Sequence, residues 1–318
     1  MPRILIVTPA APRSRQGNRV TAVRWAGLLR SLGYRVAIDE SFDDQRCDVM
    51  IALHARKSAA ALRRFRKLQP DKPVILALTG TDLYRDIHHN RTAWMSLELA
   101  SRLVLLQPHG MEELPVELRP KARVIYQSAQ PPQTIPQPLR KVFEVCVSGH
   151  LRPVKDPFRT AMAARRLPKT SRIHVTHLGA ALSTAMARRA RAEMARNSRY
   201  RWLGEVPGWQ ARRVTARSRL LVVSSKMEGG ANVVSEALAV RTPVLSTAIS
   251  GSIGLLGSDY PGYFPTGDTA TLSQLLARCE RDAPFLSQLK SACRRRAGRL
   301  SPERERAAWH KLIQELSE

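Results

Sequence analysis

The chemically most suggestive stretch of the chain is residues 224–239, SSKMEGGANVVSEALA. Glu228 and Glu236 lie eight residues apart in it, on either side of a Gly-Gly turn that follows the apolar segment 220–223. A helical pattern opens near Asn232, and a glycine turn entering a helix presents backbone N–H groups and the positive end of the helix dipole. A phosphate on these amides would have a carboxylate on each side to bind hydroxyl groups. The stretch therefore indicates a site for a sugar nucleotide.

The same stretch resembles the E-x7-E motif of retaining GT-B glycosyltransferases of family 4. Its continuation, EALAVRTPV at residues 236–244, is similar to their E-A-[LM]-A-x-G-x-P-V, with Arg241 where glycine is usual. The resemblance implies that Glu228 contacts the donor sugar and that Glu236 contacts the ribose. It assigns donor binding, through backbone amides that meet the diphosphate, to the residues between them: Gly229, Gly230, Ala231, Asn232 and Val233.

A second motif supplies positive charge. Residues 149–157, GHLRPVKDP, follow a predicted strand and resemble the family's G-R-L-x-x-x-K-G. Lys155 falls on the motif lysine, His150 replaces the motif arginine, and Arg152 follows two residues later. Fixed cations stabilise a departing diphosphate, so the resemblance implies this role for Lys155 and for either His150 or Arg152. The alternative is a solvated basic loop.

A weaker signal concerns the nucleobase. Residues 201–207, RWLGEVP, resemble the family's F-x-G-x-V segment, in which backbone near the glycine contacts the base. The resemblance implies that Gly204 binds the donor. A strand followed by an ordinary turn is the alternative.

The loop after the first predicted strand, RSRQGNR, is a candidate for binding the acceptor. A Gly-Asn turn opens a helix there, and three arginines surround it. In the family this loop meets the acceptor and the donor phosphates, whereas a plain helix cap by the asparagine is the competing account. The candidate residues are Gly17, Asn18, Arg13, Arg15 and Arg19.

Residues 78–83, LTGTDL, align with the family's H-G-T-D stretch, but Thr79 replaces the histidine. That histidine contacts the donor sugar near the acceptor. Its replacement indicates an unusual acceptor that needs no nearby base, and we assign Thr79 to acceptor binding.

Three segments make the resemblance to a particular group of glycosyltransferases more specific: TGTD at 79–82, SGHLRPVKDP at 148–157 and MEGGANV at 227–233. Together with the short chain they resemble the selenosugar synthases of selenoneine biosynthesis. The resemblance implies transfer from a UDP-sugar, UDP-glucose or UDP-N-acetylglucosamine, to selenophosphate, giving a 1-selenosugar, UDP and phosphate. Selenophosphate is a small anion whose selenium is already anionic, so a basic site without a general base suits it. The alternatives are a family-4 enzyme with a hydroxyl acceptor, lipid or saccharide, and a basic nucleic-acid-binding protein.

Composition limits these alternatives. The 318 residues are 43% hydrophobic and 25% charged, which is typical of a two-domain soluble protein. The net charge of +26 comes from 42 arginines and 10 lysines spread along the chain, and only 5% of residues are aromatic. Few stacking platforms for bases are therefore available, which argues against nucleic acid as a partner.

The remaining expectations are negative. The sequence holds no D-x-D and no regular metal-ligand spacing, so we expect neither a metal nor another cofactor. The four cysteines are widely spaced, which predicts free thiols and a cytoplasmic location. No apolar run approaches the ~20 residues of a membrane span, so we expect no stable membrane insertion. The oligomeric state is open.

The candidate residues named above must be positioned by the strands and helices around them. Apolar strands and helical segments alternate in two series along the chain, and this alternation predicts parallel sheets. The predicted strands are residues 4–8, 35–39, 49–53, 74–78, 103–107 and 123–126, then 143–148, 173–178, 201–203, 220–224 and 244–246. Predicted helices in the first series are residues 22–31, 59–67 and 93–100, and residues 272–318 are expected to be wholly helical.

A segment with four prolines, residues 128–139, is predicted to link the two series. We expect an α/β GT-B fold, two doubly wound Rossmann-like domains facing across a cleft. Residues 1–135 would form the acceptor-side domain, ending in this linker, and residues 136–318 the UDP-sugar-binding domain. The resemblance implies that the last helix, with Pro302 at its first position, packs back on the first domain.

Overall fold

The computed structural model of the protein describes residues 2–316. The chain forms two compact units. The first unit holds the residues up to Gln127, Glu228–Gly230 and the segment from Pro302 onward, and the second holds Ser128–Met227 and Ala231–Ser301. The sequence places the domain boundary after residue 135, whereas in the structure the whole proline-rich segment belongs to the second unit.

The first unit contains a six-stranded sheet with the strand order β2-β1-β3-β4-β5-β6, and each neighbouring pair is parallel. The strands are β1 (Arg3–Val7), β2 (Arg35–Asp39), β3 (Val49–Leu53), β4 (Val74–Leu78), β5 (Arg102–Leu105) and β6 (Ala122–Val124). The helices between them are α1 (Gly17–Ser31), α2 (Ala59–Leu68), α3 (Ile87–His89) and α4 (Arg91–Leu99).

The core of this unit lies on both faces of the sheet. Leu5 and Val7 of β1 join one buried apolar cluster, and Ile4 and Ile6 join the other, as the two-residue period of a strand requires. Every residue of β3 and β4 is buried. Continuous apolar runs are typical of parallel strands covered on both faces, which is why these strands are recognisable in the sequence.

The second unit contains another six-stranded parallel sheet, with the order β12-β11-β10-β7-β8-β9. Its strands are β7 (Phe143–Ser148), β8 (Ile173–Leu178), β9 (Tyr200–Trp202), β10 (Leu220–Val223), β11 (Val244–Thr247) and β12 (Tyr263–Phe264). Its helices are α5 (Arg159–Arg165), α6 (Thr184–Arg196), α7 (Gly208–Arg217), α8 (Asn232–Ala239), α9 (Ser250–Leu256), α10 (Thr269–Arg281) and α11 (Ala283–Ala297). The sequence did not predict β12, which is only two residues long.

The last helix, α12 (Pro302–Glu315), belongs to the first unit and begins at the predicted proline. Trp309 is fully buried and packs edge-to-face on Trp25 of α1, with ring centroids 4.7 Å apart. The Trp25 indole N–H donates to Oε1 of the buried Glu305 at 2.7 Å.

The C-terminal helical segment is not one continuous helix, because α10, α11 and α12 are separated at Asp282 and at residues 298–301.

Each sheet has a point where the strand order reverses. The chain turns from one side to the other between β1 and β3 in the first sheet and between β7 and β10 in the second. In doubly wound sheets, ligands bind beyond the carboxyl ends of the strands at this point. The loops that follow β1, β3, β7 and β10 therefore lie where such sheets bind their ligands.

Candidate active site

The reversal point of the second sheet brings together the β7 loop (residues 149–158) and the β10 loop (residues 224–231). The Lys226 N–H donates to the Val154 carbonyl at 2.8 Å, and the Ser224 hydroxyl donates to the Asp156 carbonyl at 2.9 Å. Lys155 ends a short 3₁₀ turn in the first of these loops, and it is partly exposed, as is Arg152. Two cations far from the glutamate motif in sequence thus lie beside the loop that leads to it.

The β7 loop is held by the loop that follows β8. The Gly149 N–H donates to the Leu178 carbonyl, and the Leu151 N–H donates to the Ala180 carbonyl, both at 2.8 Å. Gly179 has φ +139°, and a Cβ there would lie 2.2 Å from the Gly149 carbonyl oxygen. Only glycine fits this position, so the approach of the two loops depends on it.

Gly204 lies in the same row of loops at the carboxyl edge of the sheet. Its carbonyl accepts from the Gly179 N–H at 2.7 Å, and its φ of +69° is in the left-handed region that favours glycine. A Cβ at Gly204 would meet open space, so backbone conformation and not crowding requires glycine here.

The ring of His150 is oriented by the backbone. The Ala180 N–H donates to His150 Nδ1 at 3.0 Å, so one ring nitrogen of His150 is occupied by the backbone. Arg152 carries its positive charge in any environment. Of the two residues that the sequence left as alternatives, Arg152 is therefore the permanent cation.

A buried histidine lies beneath this loop and was not singled out by the sequence. His177 on β8 receives a hydrogen bond from the Tyr200 hydroxyl at 2.9 Å and donates from Nε2 to the Gly149 carbonyl at 3.2 Å. Burial lowers the pKa of His177 to about 4 from the ordinary 6.5. His174 on the same strand is exposed, because residues an odd number of positions apart on a strand face opposite sides.

We expect His177 to make the protein less stable in acid. Between about pH 6.5 and pH 4 the unfolded chain binds a proton at this residue and the folded protein does not, so the free energy of unfolding falls with pH. The loss attributable to His177 is about 2 kcal/mol between pH 7.5 and pH 5. Urea unfolding at a series of pH values measures it. His177→Gln should lose this part of the pH dependence, and the exposed His174→Gln should keep it; equal slopes in wild type and His177→Gln would contradict the assignment.

The helix α8 opens at Asn232, where the sequence predicted it. Its N-cap is Ala231, which has no side-chain acceptor for the first amides of the helix. Val234, Ala237 and Leu238 are buried. Asn232, Val233 and Glu236 are partly exposed. The face of α8 that carries Glu236 is therefore not part of the core.

Glu228–Gly230 belong to the first unit, where both glycines meet close neighbours. A Cβ at Gly229 would lie 2.6 Å from the carbonyl group of Thr79, and one at Gly230 would lie 2.6 Å from Cβ of Leu106. The Gly-Gly pair is thus required by packing, a reason that the sequence did not reveal. Glu228 itself is buried, with 8% of its surface exposed.

The turn that follows β4, residues 79–82, is organised by Asp82. This fully buried carboxylate accepts hydrogen bonds from the backbone N–H groups of Thr79 at 3.0 Å and Gly80 at 2.8 Å, and from Ala55 N–H at 3.0 Å. It joins the loops after β3 and β4 and fixes the partly exposed Thr79 beside Gly229.

His54 is a second residue that no sequence motif identifies. It directly follows β3, is 4% exposed, and adopts a left-handed φ of +77°. Its Nε2 lies 3.3 Å from the Thr81 hydroxyl oxygen, and burial lowers its pKa. In the sequence, His54 could have been identified from its position directly after an apolar strand, β3, which lies at the reversal point of the first sheet.

The loop after β1 leads into α1, whose N-cap is Gln16, without a side-chain capping bond. Asn18 is the second residue of the helix, so the alternative of a cap by Asn18 is wrong, and the helix starts five residues earlier than the predicted Ala22. The helix begins at Gly17 although Gly17 and Asn18 are weak helix formers.

Two hydroxyl groups at this loop have no hydrogen-bond partner within residues 2–316: Thr8 Oγ1, in a fully buried residue, and Ser14 Oγ. Buried hydroxyls are ordinarily bonded. Arg13 and Arg15 are exposed, and Arg13 has a left-handed φ of +67°. Arg19 is partly buried. The loop thus combines positive charge, an uncapped helix start and unpaired donors.

Residues 134–296, which are 163 of the 318 residues, match the family described as glycosyl transferases group 1. The chain belongs to this family. The matched range includes the β7 loop, Gly204 and both glutamates of the E-x7-E motif. The predicted membership of a glycosyltransferase family is confirmed.

Several solved structures share the fold along almost the whole chain. HepE from Anabaena, solved in complex with UDP-glucose, has a TM-score of 0.78 at 15% identity, covering 99% of this chain and 100% of its own. Sucrose-phosphate synthase from Thermosynechococcus elongatus has a TM-score of 0.79 at 15% identity, covering 99% of each chain. A glycosyltransferase from Rickettsia africae has a TM-score of 0.75 at 13% identity, covering 99% and 98%. The prediction of two Rossmann-like domains of the GT-B type is confirmed.

Other features of this glycosyltransferase concern metals, thiols and membranes. Residues 2–316 contain no group of three or more His, Cys, Asp or Glu side chains arranged to hold a metal ion. All four cysteines are buried and free, as predicted. Across the described part of the chain, no helix is both long and apolar enough to cross a membrane.

Proposed function

We propose that this glycosyltransferase uses a UDP-sugar as donor and selenophosphate as acceptor, and releases a 1-selenosugar, UDP and phosphate. The observation that carries the donor assignment is the meeting of the β7 and β10 loops at the reversal point of the second sheet. There the cations of one loop lie beside the segment that opens α8. The UDP-glucose complex of HepE, a protein of the same fold, adds support for a UDP-sugar donor.

In this proposal Lys155 and Arg152 bind the diphosphate. The leaving diphosphate gains negative charge as the bond to C1 of the sugar breaks, and fixed cations stabilise that charge most in the transition state. Arg152 is preferred to His150 because its guanidinium is always charged, whereas Nδ1 of His150 already accepts from the Ala180 amide. His150 is assigned to donor binding beside them. Because two protein cations meet the charge, we propose that no metal or other cofactor is needed.

The amides at the start of α8, from Gly230 to Val233, are proposed to bind the same diphosphate, and Glu236 to bind the ribose. Ala231 leaves the first helical turn without a side-chain cap, which suits an anion there. Backbone near Gly204 would contact the base, and Glu228 would contact the donor sugar. These assignments follow the family resemblance of the E-x7-E segment.

Lys155→Met is expected to weaken UDP binding about 10- to 100-fold, which is the worth of one charge-assisted hydrogen bond. UDP-sugar binding should fall by the same factor, because both ligands carry the diphosphate. Isothermal titration calorimetry measures both affinities. The exposed Lys169→Met, in the same unit, removes an equal charge and should bind UDP like the wild type. Unchanged UDP affinity in Lys155→Met would remove this lysine from the site.

The acceptor assignment rests on the resemblance to selenosugar synthases and on the chemistry of the first unit. Arg13, Arg15 and Arg19 surround the uncapped start of α1, near which two hydroxyls have no hydrogen-bond partner among residues 2–316. An anionic acceptor such as selenophosphate would satisfy such groups. Thr79 stands where the family has a histidine, and an anionic selenium needs no base to become nucleophilic. The selenium attacks C1 as the bond to the diphosphate breaks, and water then cleaves the selenium–phosphorus bond.

The proposed reaction can be tested directly. Purified protein is mixed with UDP-glucose or UDP-N-acetylglucosamine and fresh selenophosphate, UDP release is followed, and mass spectrometry detects the isotope pattern of selenium. UDP release coupled to a selenium-bearing hexose would support donor and acceptor together. UDP binding without selenium transfer would retain the donor and favour a hydroxyl acceptor. Absence of UDP binding would overturn the donor assignment.

The free thiols suit the reducing cytoplasm, where we propose that the reaction occurs.

A further inference from the structure

A tyrosine that no motif identifies lies next to the loop that carries Glu228. Tyr84 is the third residue of a π-helical turn, Asp82–Asp86, that follows β4, and its amide donates to the Gly80 carbonyl at 3.1 Å. Single π-helical turns are frequent at functional sites because they displace a side chain from the regular helical position. This turn places Tyr84 after the segment that Gly229 contacts.

The Tyr84 side chain joins the two segments that flank Glu228–Gly230. Gln107 Nε2, just beyond β5, donates to the Tyr84 hydroxyl oxygen at 2.8 Å. Gly229 packs on the Thr79–Gly80 peptide, which precedes Tyr84, and Gly230 packs on Leu106, which precedes Gln107. The Tyr84–Gln107 hydrogen bond therefore links the same two segments that Gly229 and Gly230 contact.

The direction of the Tyr84 hydroxyl is defined by Gln107. This glutamine is fully buried, and its Oε1 accepts from the His109 N–H at 2.7 Å, so its Nε2 must face Tyr84. The tyrosine oxygen is thus an acceptor in this pair, and its own hydrogen is left to donate. No acceptor for that hydrogen occurs in the described part of the first unit, residues 2–127, 228–230 and 302–316.

The surroundings keep this hydrogen in place. Burial is the largest influence on Tyr84 and raises its pKa, the Gln107 hydrogen bond lowers the pKa by less, and the charges of Glu113, Glu228 and Glu112 raise it. The side chain is nevertheless partly exposed. Tyr84 is therefore a neutral donor that a ligand can reach, in the electrostatic field of Glu228.

We infer that the Tyr84 hydroxyl donates a hydrogen bond to a hydroxyl oxygen of the donor sugar that Glu228 binds, and that it contributes to sugar specificity. The carboxylate accepts hydrogen bonds from sugar hydroxyls, and the neighbouring phenol donates one to a sugar hydroxyl. Together they recognise the sugar hydroxyls both as donors and as acceptors. The inference rests on the proposed UDP-sugar activity. The alternative is that Tyr84 and Gln107 only brace the two loops.

Tyr84→Phe tests the inference, because it removes the hydroxyl and keeps the ring. We expect kcat/KM for the UDP-sugar to fall about 10-fold, the worth of one hydrogen bond to a neutral partner, while the Kd of UDP, which has no sugar, changes less than about 2-fold. Tyr34→Phe removes a hydroxyl elsewhere in the same unit and should behave like the wild type. Equal weakening of UDP and UDP-sugar, an unchanged kcat/KM, or a loss confined to the KM of the acceptor would each overturn the inference.

A series of deoxy donors adds a readout that bracing alone would not change. For the deoxy-sugar that lacks the contacted hydroxyl, wild type and Tyr84→Phe should have the same kcat/KM, and for the other deoxy-sugars the 10-fold ratio should persist. A ratio that is the same for every deoxy donor would overturn the inference in favour of bracing. Failure of the wild type to bind UDP would refute the proposed function instead, so the two failures are distinguishable.

Discussion

Glu228→Gln is expected to lower turnover about 100-fold, equivalent to about 2.7 kcal/mol of transition-state stabilisation. Glu228 is buried and directly precedes Gly229, which packs on the Thr79–Gly80 peptide. A buried carboxylate interacts strongly with hydroxyl groups and with positive charge developing on the sugar ring. Glutamine has the same shape and lacks the charge. The expected loss is therefore mainly in kcat, measured by UDP release at saturating donor.

The matched control is Glu112→Gln, which removes the same charge from an exposed side chain of the first unit that pairs with His109. It should retain wild-type turnover. UDP affinity and the circular dichroism spectrum of Glu228→Gln should also be unchanged, since UDP lacks the sugar and the substitution is isosteric. Full turnover in Glu228→Gln would remove this residue from catalysis.

Asp82→Ala is expected to lower the free energy of unfolding by about 4 kcal/mol, the largest effect on stability that we predict. The carboxylate is fully buried and is the acceptor for the backbone N–H groups of Thr79, Gly80 and Ala55. Its removal leaves three backbone donors without this partner, and each of the two buried bonds, those of Gly80 and Ala55, costs about 1–3 kcal/mol before the loops relax. The urea-unfolding midpoint measures the loss.

Hydrogen exchange followed by mass spectrometry should localise this loss. Faster exchange is expected at residues 54–58 and 79–84, which Asp82 ties together, and unchanged exchange is expected in the second unit. The exposed Asp71→Ala should change stability by less than about 0.5 kcal/mol. Asp82→Ala with the stability of Asp71→Ala would show that these amides find other acceptors.

The strands of both sheets could be predicted because each is a short apolar run. The predicted bounds of β2, β3, β4, β7 and β8 agree with the structure residue by residue. Parallel strands buried on both faces need apolar residues throughout, and such continuous apolar runs can be recognised in the sequence. The two-residue β12 is too short to leave such a pattern. The early start of α1 was missed because Gly17 and Asn18 are weak helix formers.

The candidate site divides in the same way. The E-x7-E segment, Lys155, Arg152 and the loop before α1 were found because each motif is contiguous in sequence. His54, Asp82, Tyr84 and His177 were not assigned a role, because their partners lie on other strands and loops. No spacing along the chain encodes that three amides from two loops meet one carboxylate.

The sequence by itself determined the family, the two parallel sheets and the motifs that could hold a sugar nucleotide, since apolar runs and glycine turns are local properties of the chain. Only the tertiary structure decided which strands are neighbours at the reversal points, that the Ala180 amide holds the ring of His150, and that the Gly-Gly pair is required by close packing. Those outcomes depend on distances between segments far apart in sequence, and such distances are fixed only when the sheets assemble.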